Sequence, residues 1–133
     1  MLKLNTLSGF GSGVSGGGAF PPTYGYTAGG NTGGAVTAAC DRITFSTSVN
    51  AAHTDGDLDA GSSGGVGHSD NVTYGYHSGG TTGAQDKLTN RMTLATSVMA
   101  AHTDSDMTAN KKEGWGLSTI KGGGTYGYAV GGE

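Results

Sequence analysis

The string TYGY occurs three times in this chain, at residues 23–26, 73–76 and 125–128, and each copy is followed two residues later by Gly-Gly. All six tyrosines of the chain lie in these copies, which are spaced by 50 and 52 residues. A second block repeats at an offset of 49: RITFSTSVNAAHTD over 42–55 and RMTLATSVMAAHTD over 91–104, with ten of fourteen positions identical. A third element, one apolar residue between glycines, precedes each tyrosine copy: GFG at 9–11, GVG at 65–67 and GWG at 114–116. The chain therefore carries two complete units of about 50 residues and about half of a third. It begins and ends with the same half-unit.

Within a unit the apolar residues alternate. Tyr24 and Tyr26 fall on one face with Gly25 opposite, and Ile43 and Phe45 on one face with Thr44 opposite. That period of two predicts strands of four to six residues. The Gly-Gly doublets and the run at 61–65 read as turns or loops, and Ala51-Ala52-His53 with Ala100-Ala101-His102 as a further short strand. Composition agrees that no ordinary core is present. Leu, Ile, Val and Phe number 19 of 133, while Gly is 28 and Ser plus Thr 30. So few large apolar residues suggest disorder, but that inference also needs high net charge, and this chain carries only -3. Thin repeated sheets that cover one another resolve the conflict, because each unit borrows the core it lacks from its neighbour.

Other classes are excluded on the same grounds. Seven scattered Lys and Arg against ten acidic residues give no basic patch for nucleic acid. No run approaches the length of a membrane span, and the opening Met1-Leu2-Lys3-Leu4-Asn5 lacks the apolar core of a signal peptide. A soluble chain without a conventional secretion signal is expected. The single cysteine, Cys40, has Thr89 in the equivalent place and reads as a half-buried strand residue.

The tract YGYTAGG, then DRITFST, an Asp-rich loop and GVG leading into YGYHSGG resembles the kelch repeat. The tryptophan that follows this strand in kelch units is replaced by Ala52 and Ala101. The closest flavour of resemblance, carried by DRI-x-F-S after the aromatic-Gly-aromatic and Gly-Gly segment, is to kelch-like repeats in bacteriophage tail-fibre and tail-associated proteins. The opening LNTLSGFGSG also resembles the starts of small phage structural proteins. This implies an all-β fold of propeller-blade or stacked β-repeat units. The organisation expected is a glycine-rich N-terminal arm with a first partial strand over 1–22, β-units over 23–72 and 73–124, and a terminal half-unit strand over 125–133. Closed propellers use about four to eight blades. Two and a half cannot close a ring, so a homo-oligomer, a trimer or higher, or incorporation in a larger assembly is expected.

Candidate residues follow from the unit. Tyr24, Tyr26, Tyr74, Tyr76, Tyr126 and Tyr128, with Ile43, Phe45, Met92 and Leu94, are the assembly and core set; the sharper reading of the tyrosines is a sugar-stacking row. Arg42 and Arg91 pair with a carboxylate or cap carbonyls between units, or read an acidic sugar. Trp115 fills a terminal or interfacial gap, or serves as a sugar platform. Phe10 and Phe20 anchor an arm that docks on a partner. His53 and His102, each followed by Thr-Asp, read as turn-fixing hydrogen bonders before metal ligands or catalysts. Asp55, Asp57 and Asp59 stand at alternate positions that a calcium loop can use, although the sixth and twelfth positions are Ala60 and Val66, so an Asx-type turn is the first reading. No nucleophile set or phosphate-cradling loop is present in the sequence, so no enzymatic activity and no cofactor are expected. The function expected from the resemblance is a virion structural or adhesive protein, assembled in the host cytoplasm, contacting other virion proteins and a host-surface glycan. The alternatives are an oligomeric lectin of propeller type and a capsid decoration or filament-forming subunit.

Overall fold

The structure is a computed structural model that describes residues 23–70, 72–118, 126–130 and 132. The expected arm over 1–22, with Phe10 and Phe20, lies outside the described residues. Eleven strands are described: β1 (Tyr24–Ala28), β2 (Asn31–Thr32), β3 (Ala35–Val36), β4 (Cys40–Thr44), β5 (Val49–Ala52), β6 (Val66–Ser69), β7 (Tyr74–Thr81), β8 (Gln85–Thr93), β9 (Val98–Ala101), β10 (Trp115–Ser118) and β11 (Gly127–Val130). The helical content among the described residues is two single 3-10 turns, Thr54–Gly56 and Thr103–Ser105. The fold is all-β.

The strands form small antiparallel sheets, none of them closed among the described residues: β1-β4-β5, β6-β7-β8-β9, β10-β11, and the minor hairpin β2-β3. The second sheet is the full unit. Its strand order is its sequence order, so each strand pairs with the next through a short connection. The GVG segment pairs with the tyrosine strand that follows it, Gly67 opposite His77 and His68 opposite Tyr76. A physical sheet thus begins at the glycine-flanked strand, inside the stretch that the sequence spacing assigns to the end of the first unit. The third sheet repeats the pairing, with Gly116 opposite Ala129 and Leu117 opposite Tyr128.

Two local devices recur. The hairpins β4-β5 and β8-β9 each turn through a serine in the left-handed region, Ser48 at φ 56 and Ser97 at φ 59. The Gly-Gly doublets were expected to be turns or loops; Gly29-Gly30 connects β1 to β2, but the second doublet does a different job. Gly79 and Gly80, at φ 66 and 109, sit inside β7 where the register with β8 shifts, a bulge that side chains with a Cβ rarely tolerate. The amide exposed there takes up the returning chain: Gly80 N–H donates to Lys111 O at 2.7 Å, as Gly30 N–H donates to Ser62 O at 2.7 Å in the first unit. The chain is tied back to its own unit just before it enters the next sheet.

Alternation gives every sheet two unlike faces. On the first, Tyr24, Tyr26 and Ala28 share a face with their partners Thr44, Arg42 and Cys40, while Gly25 and Ile43 point the other way. We term these the tyrosine face and the glycine face. On the glycine face of the second sheet, Gly75 opposes Met92, which opposes Met99. The buried core consists of Tyr26, Cys40, Leu58, Met92 and Met99, with Tyr24, Ala28, Ala38 and Leu94 packed against it. The core is therefore the junction of the first tyrosine face with the second glycine face. Beyond it, β10 and β11 lie on β6. A Cβ on Gly127 would stand 2.6 Å from the His68 ring, and one on Gly116 would collide with Gly67 O. His68 and Tyr76 share the second tyrosine face, so the second junction has the same polarity as the first. β6 and β10 approach backbone to backbone at Gly67 and Gly116, which explains why these two strands are built from glycine-flanked apolar residues.

Candidate functional site

The aspartates of the HTDxD segment act on the backbone. Asp57 Oδ1 accepts a hydrogen bond from Cys40 N–H at 2.7 Å, and Asp106 Oδ1 accepts one from Thr89 N–H at 2.9 Å. The same bond in both units joins the 3-10 turn to the first residue of β4 or its counterpart in β8. The calcium reading of Asp55, Asp57 and Asp59 is corrected accordingly: among the described residues no group of three or more His, Cys, Asp or Glu converges as a metal site, and Asp57 is committed to an amide. Asp57→Ala and Asp106→Ala are each expected to cost about 1–3 kcal/mol, the range for stranding a partly buried donor. Asp55→Ala, at an exposed position, should change little. Thermal melts of the three variants check this; equal losses at all three positions would contradict it.

Among the described residues the arginines do not take the predicted carboxylate or carbonyl role. Arg42 Cζ stands 4.4 Å from the Tyr24 ring centroid and Arg91 Cζ 4.4 Å from that of Tyr74, because one residue of alternation places each guanidinium beside the tyrosine on its own face. The cation rests on the ring. Arg91 Nη1 also lies 3.3 Å from His102 Nε2.

His53 works across a junction rather than within its own turn. Its Nε2 lies 2.8 Å from Ser97 O, and the Tyr26 and Ser97 hydroxyls are hydrogen-bonded. Ser97 can present both groups because its left-handed backbone turns the carbonyl and side chain toward the first sheet. Asn90 Oδ1 adds a third polar tie, accepting from Asp59 N–H at 3.0 Å. Cys40 is fully buried and its thiol is pushed up to about 11, chiefly by burial and then by Asp57 and Asp41. Such a thiol stays protonated at neutral pH and is a packing group.

Two histidines were missed by repeat reasoning because they occur in one unit only. His68 lies flat on Tyr76, with centroids 5.1 Å apart and planes 8° apart. Its Nδ1 is buried without a hydrogen-bond partner among the described residues, and burial lowers its pKa. His77 is buried on the opposite face, and burial lowers its pKa from 6.5 to about 4. Both are neutral in the fold at pH 7. As pH falls from 6.5 toward 4, the unfolded chain binds protons that the fold refuses, so stability is present above pH 6.5 and declines through that window. His77 alone accounts for up to about 3 kcal/mol of the decline. Urea midpoints measured between pH 7.5 and 4 should fall progressively; a flat profile would contradict the buried neutral state.

The terminal faces are the exposed counterparts of these junctions. On β10 and β11, Trp115 is 65% exposed, Leu117 56%, Tyr128 51% and Val130 48%. By pairing they occupy one tyrosine face, Trp115 opposite Val130 and Leu117 opposite Tyr128. Tyr126 is also exposed and contacts Tyr128 with ring centroids 6.4 Å apart. Their counterpart in the first unit, Tyr26, is 4% exposed. The core role expected of Tyr126 and Tyr128 is thus corrected within one chain, since no further sheet lies over them among the described residues. At the other end Phe45 is 44% exposed and Ile43 half-buried on the first glycine face, whereas their counterparts Leu94 and Met92 are packed in the core. Tyr24, Tyr74 and Tyr76 are half-buried.

Among the described residues, no helix is long and apolar enough to cross a membrane. A small cavity, about 10 Å³, lies between Val66, Ser78, Met107 and Ala129. It has room for about one water. The candidate site is a pair of sheet faces. No family model matches the chain, and no curated protein matches it.

Proposed function

We propose that the chain is a non-enzymatic structural and adhesive subunit of a bacteriophage virion, a tail fibre or tail-associated appendage built of kelch-like units that assemble with copies of themselves. The observation that carries the assembly part is the exposed apolar face of β10-β11, which bears the residues the same unit buries at its inner junctions. Contiguous exposed aromatics of this kind mark interaction surfaces. The virion assignment rests on the resemblance of the YGY, Gly-Gly and DRI-x-F-S pattern to phage tail repeats. The exposed loop residues 59–60 and 108–110 would serve contacts with neighbouring virion proteins or a host-surface glycan. Negative-stain electron microscopy tests this reading in two steps: the purified chain forms regular particles or fibres, and antibody against it labels phage tails. Labelling of heads alone would favour a capsid decoration subunit, and no labelling would contradict the virion reading.

One observation favours a carbohydrate-binding reading as second choice. Trp115 is 65% exposed on the same face as Tyr128, a pair of rings suited to stacking on a sugar. Binding of the isolated protein on a glycan array, lost in Trp115→Ala while self-association persists, would support a lectin; absence of binding would remove it.

A further inference from the structure

We infer that copies of this chain join head to tail, the tyrosine face of β10-β11 in one copy seated on the glycine face of β1-β4-β5 in the next. The inference rests on the self-assembly reading above and names its surfaces and polarity. The argument comes from the junctions within the chain. Both place a tyrosine face on a glycine face: Tyr26 and Cys40 against Met92 and Met99, then His68 against Gly127 and the backbone of Gly67 against Gly116. A stack of such sheets has unlike ends, and each end is the surface that an inner junction buries. One end offers Tyr128, Leu117, Trp115 and Val130. The other offers Ile43 and Phe45 above Gly25.

The polar chemistry of the ends matches as well. At the inner junction the Tyr26 hydroxyl meets the Ser97 hydroxyl. Tyr128 holds the place of Tyr26 on the terminal tyrosine face, and Ser48, at φ 56 in the same turn as Ser97 at φ 59, holds that of Ser97 at the opposite end, where it is exposed. The occupant that complements each end is therefore the other end of a second copy. Such a contact joins unlike patches, so it propagates into filaments or closes into a ring, according to the rotation between copies.

Sedimentation velocity on the full chain separates the cases. With the tyrosine face of β10-β11 called side A and the glycine face of β1-β4-β5 side B, the A-side variant is Leu117→Asp, with Tyr128→Lys as its replacement should folding fail. The B-side variant is Phe45→Asp, with Asn50→Lys as its replacement, since Asn50 is exposed where its counterpart Met99 is buried. Circular dichroism at equal concentration establishes that each is folded. The wild type is expected to sediment as oligomers at micromolar concentration and each single variant as a monomer. An equimolar mixture of the two variants is expected to give a heterodimer and nothing larger, because one intact A and one intact B surface remain. A B-side variant that stays dimeric while the A-side variant is monomeric means two like faces join, and overturns the inference. Wild-type oligomers unaffected by either variant overturn the named faces and leave the self-assembly reading standing. A wild-type monomer overturns both, and a monomer that associates after deletion of residues 1–22 assigns the exposed face to that segment instead.

Discussion

Met92→Ala is expected to remove about 2–5 kcal/mol of stability, the range for truncating a large buried aliphatic side chain. Met92 is the largest side chain with no exposure at all, and it sits where the second glycine face meets Tyr26 and Cys40. Its terminal methyl lies 3.1 Å from where a Cβ on Gly56 would stand, so it also reaches the 3-10 turn of the first unit. Truncation opens a cavity that neither sheet can close alone, because each contributes only a few apolar side chains to the junction. A domain of this size is held by about 5–15 kcal/mol in all. The same change at Ile43, the counterpart on the outer glycine face, should cost much less in the dissociated chain, since that side chain is already half-exposed. Urea denaturation of the two variants at low protein concentration reads the difference. Equal costs would mean that the first two sheets do not share a core.

Gly116→Ala is expected to loosen the third sheet from the second without unfolding the first two. An added Cβ would collide with Gly67 O, with the Gly67 carbonyl carbon next at 2.7 Å. Both are backbone atoms of a strand held in the middle of its own ladder, Gly67 opposite His77. A flexible side chain could move aside; this strand cannot without breaking that pairing. Overpacking typically costs about 1–3 kcal/mol, and here it falls on a single junction. Amide hydrogen exchange should show faster exchange in β10 and β11 with unchanged protection in β4 and β8. Unchanged protection in β10 and β11 would mean that the close approach does not exist.

Much of the architecture was legible because a repeat reports the same structural need more than once. The glycine-flanked segment, YGY and R-x-T appear in the sequence in the order in which β6, β7 and β8 pair, and Tyr24, Tyr26 and Met92 were expected at the core that they reach or line. The fate of Tyr126 and Tyr128 was not legible, since identical strings take opposite exposures when one has a following sheet and the other does not. The backbone role of Asp57, first read as part of an Asx-type turn, and that of Asp106 were not legible either. Their partners, Cys40 and Thr89, lie 17 residues away, and nothing in local spacing says that a carboxylate folds back on a strand amide instead of facing a cation. The arginines were assigned a carboxylate, carbonyls or an acidic sugar, but each lies on the tyrosine of the neighbouring strand, a contact set by register. Within YGY, Gly25 gives its space to the Ile43 and Phe45 side chains and Gly127 to the His68 ring, whereas backbone comes close at Gly116 and at the doublet glycines Gly29 and Gly79.

On the proposed rule, tyrosine face on glycine face for both the chain and its assembly, a cysteine cross-linking trap is the most direct test. Ser48→Cys and Tyr128→Cys are combined in a Cys40→Thr background, threonine being the residue that Thr89 supplies at the matching place. A short thiol-to-thiol bis-maleimide, long enough to take the place of the tyrosine ring, should link copies in series and give a ladder of dimers, trimers and higher species on a denaturing gel, while either single cysteine gives no ladder; a direct disulfide would not reach, because the inner contact is made by the tyrosine hydroxyl. Failure of the double variant to cross-link under conditions where the wild type is oligomeric would contradict the rule.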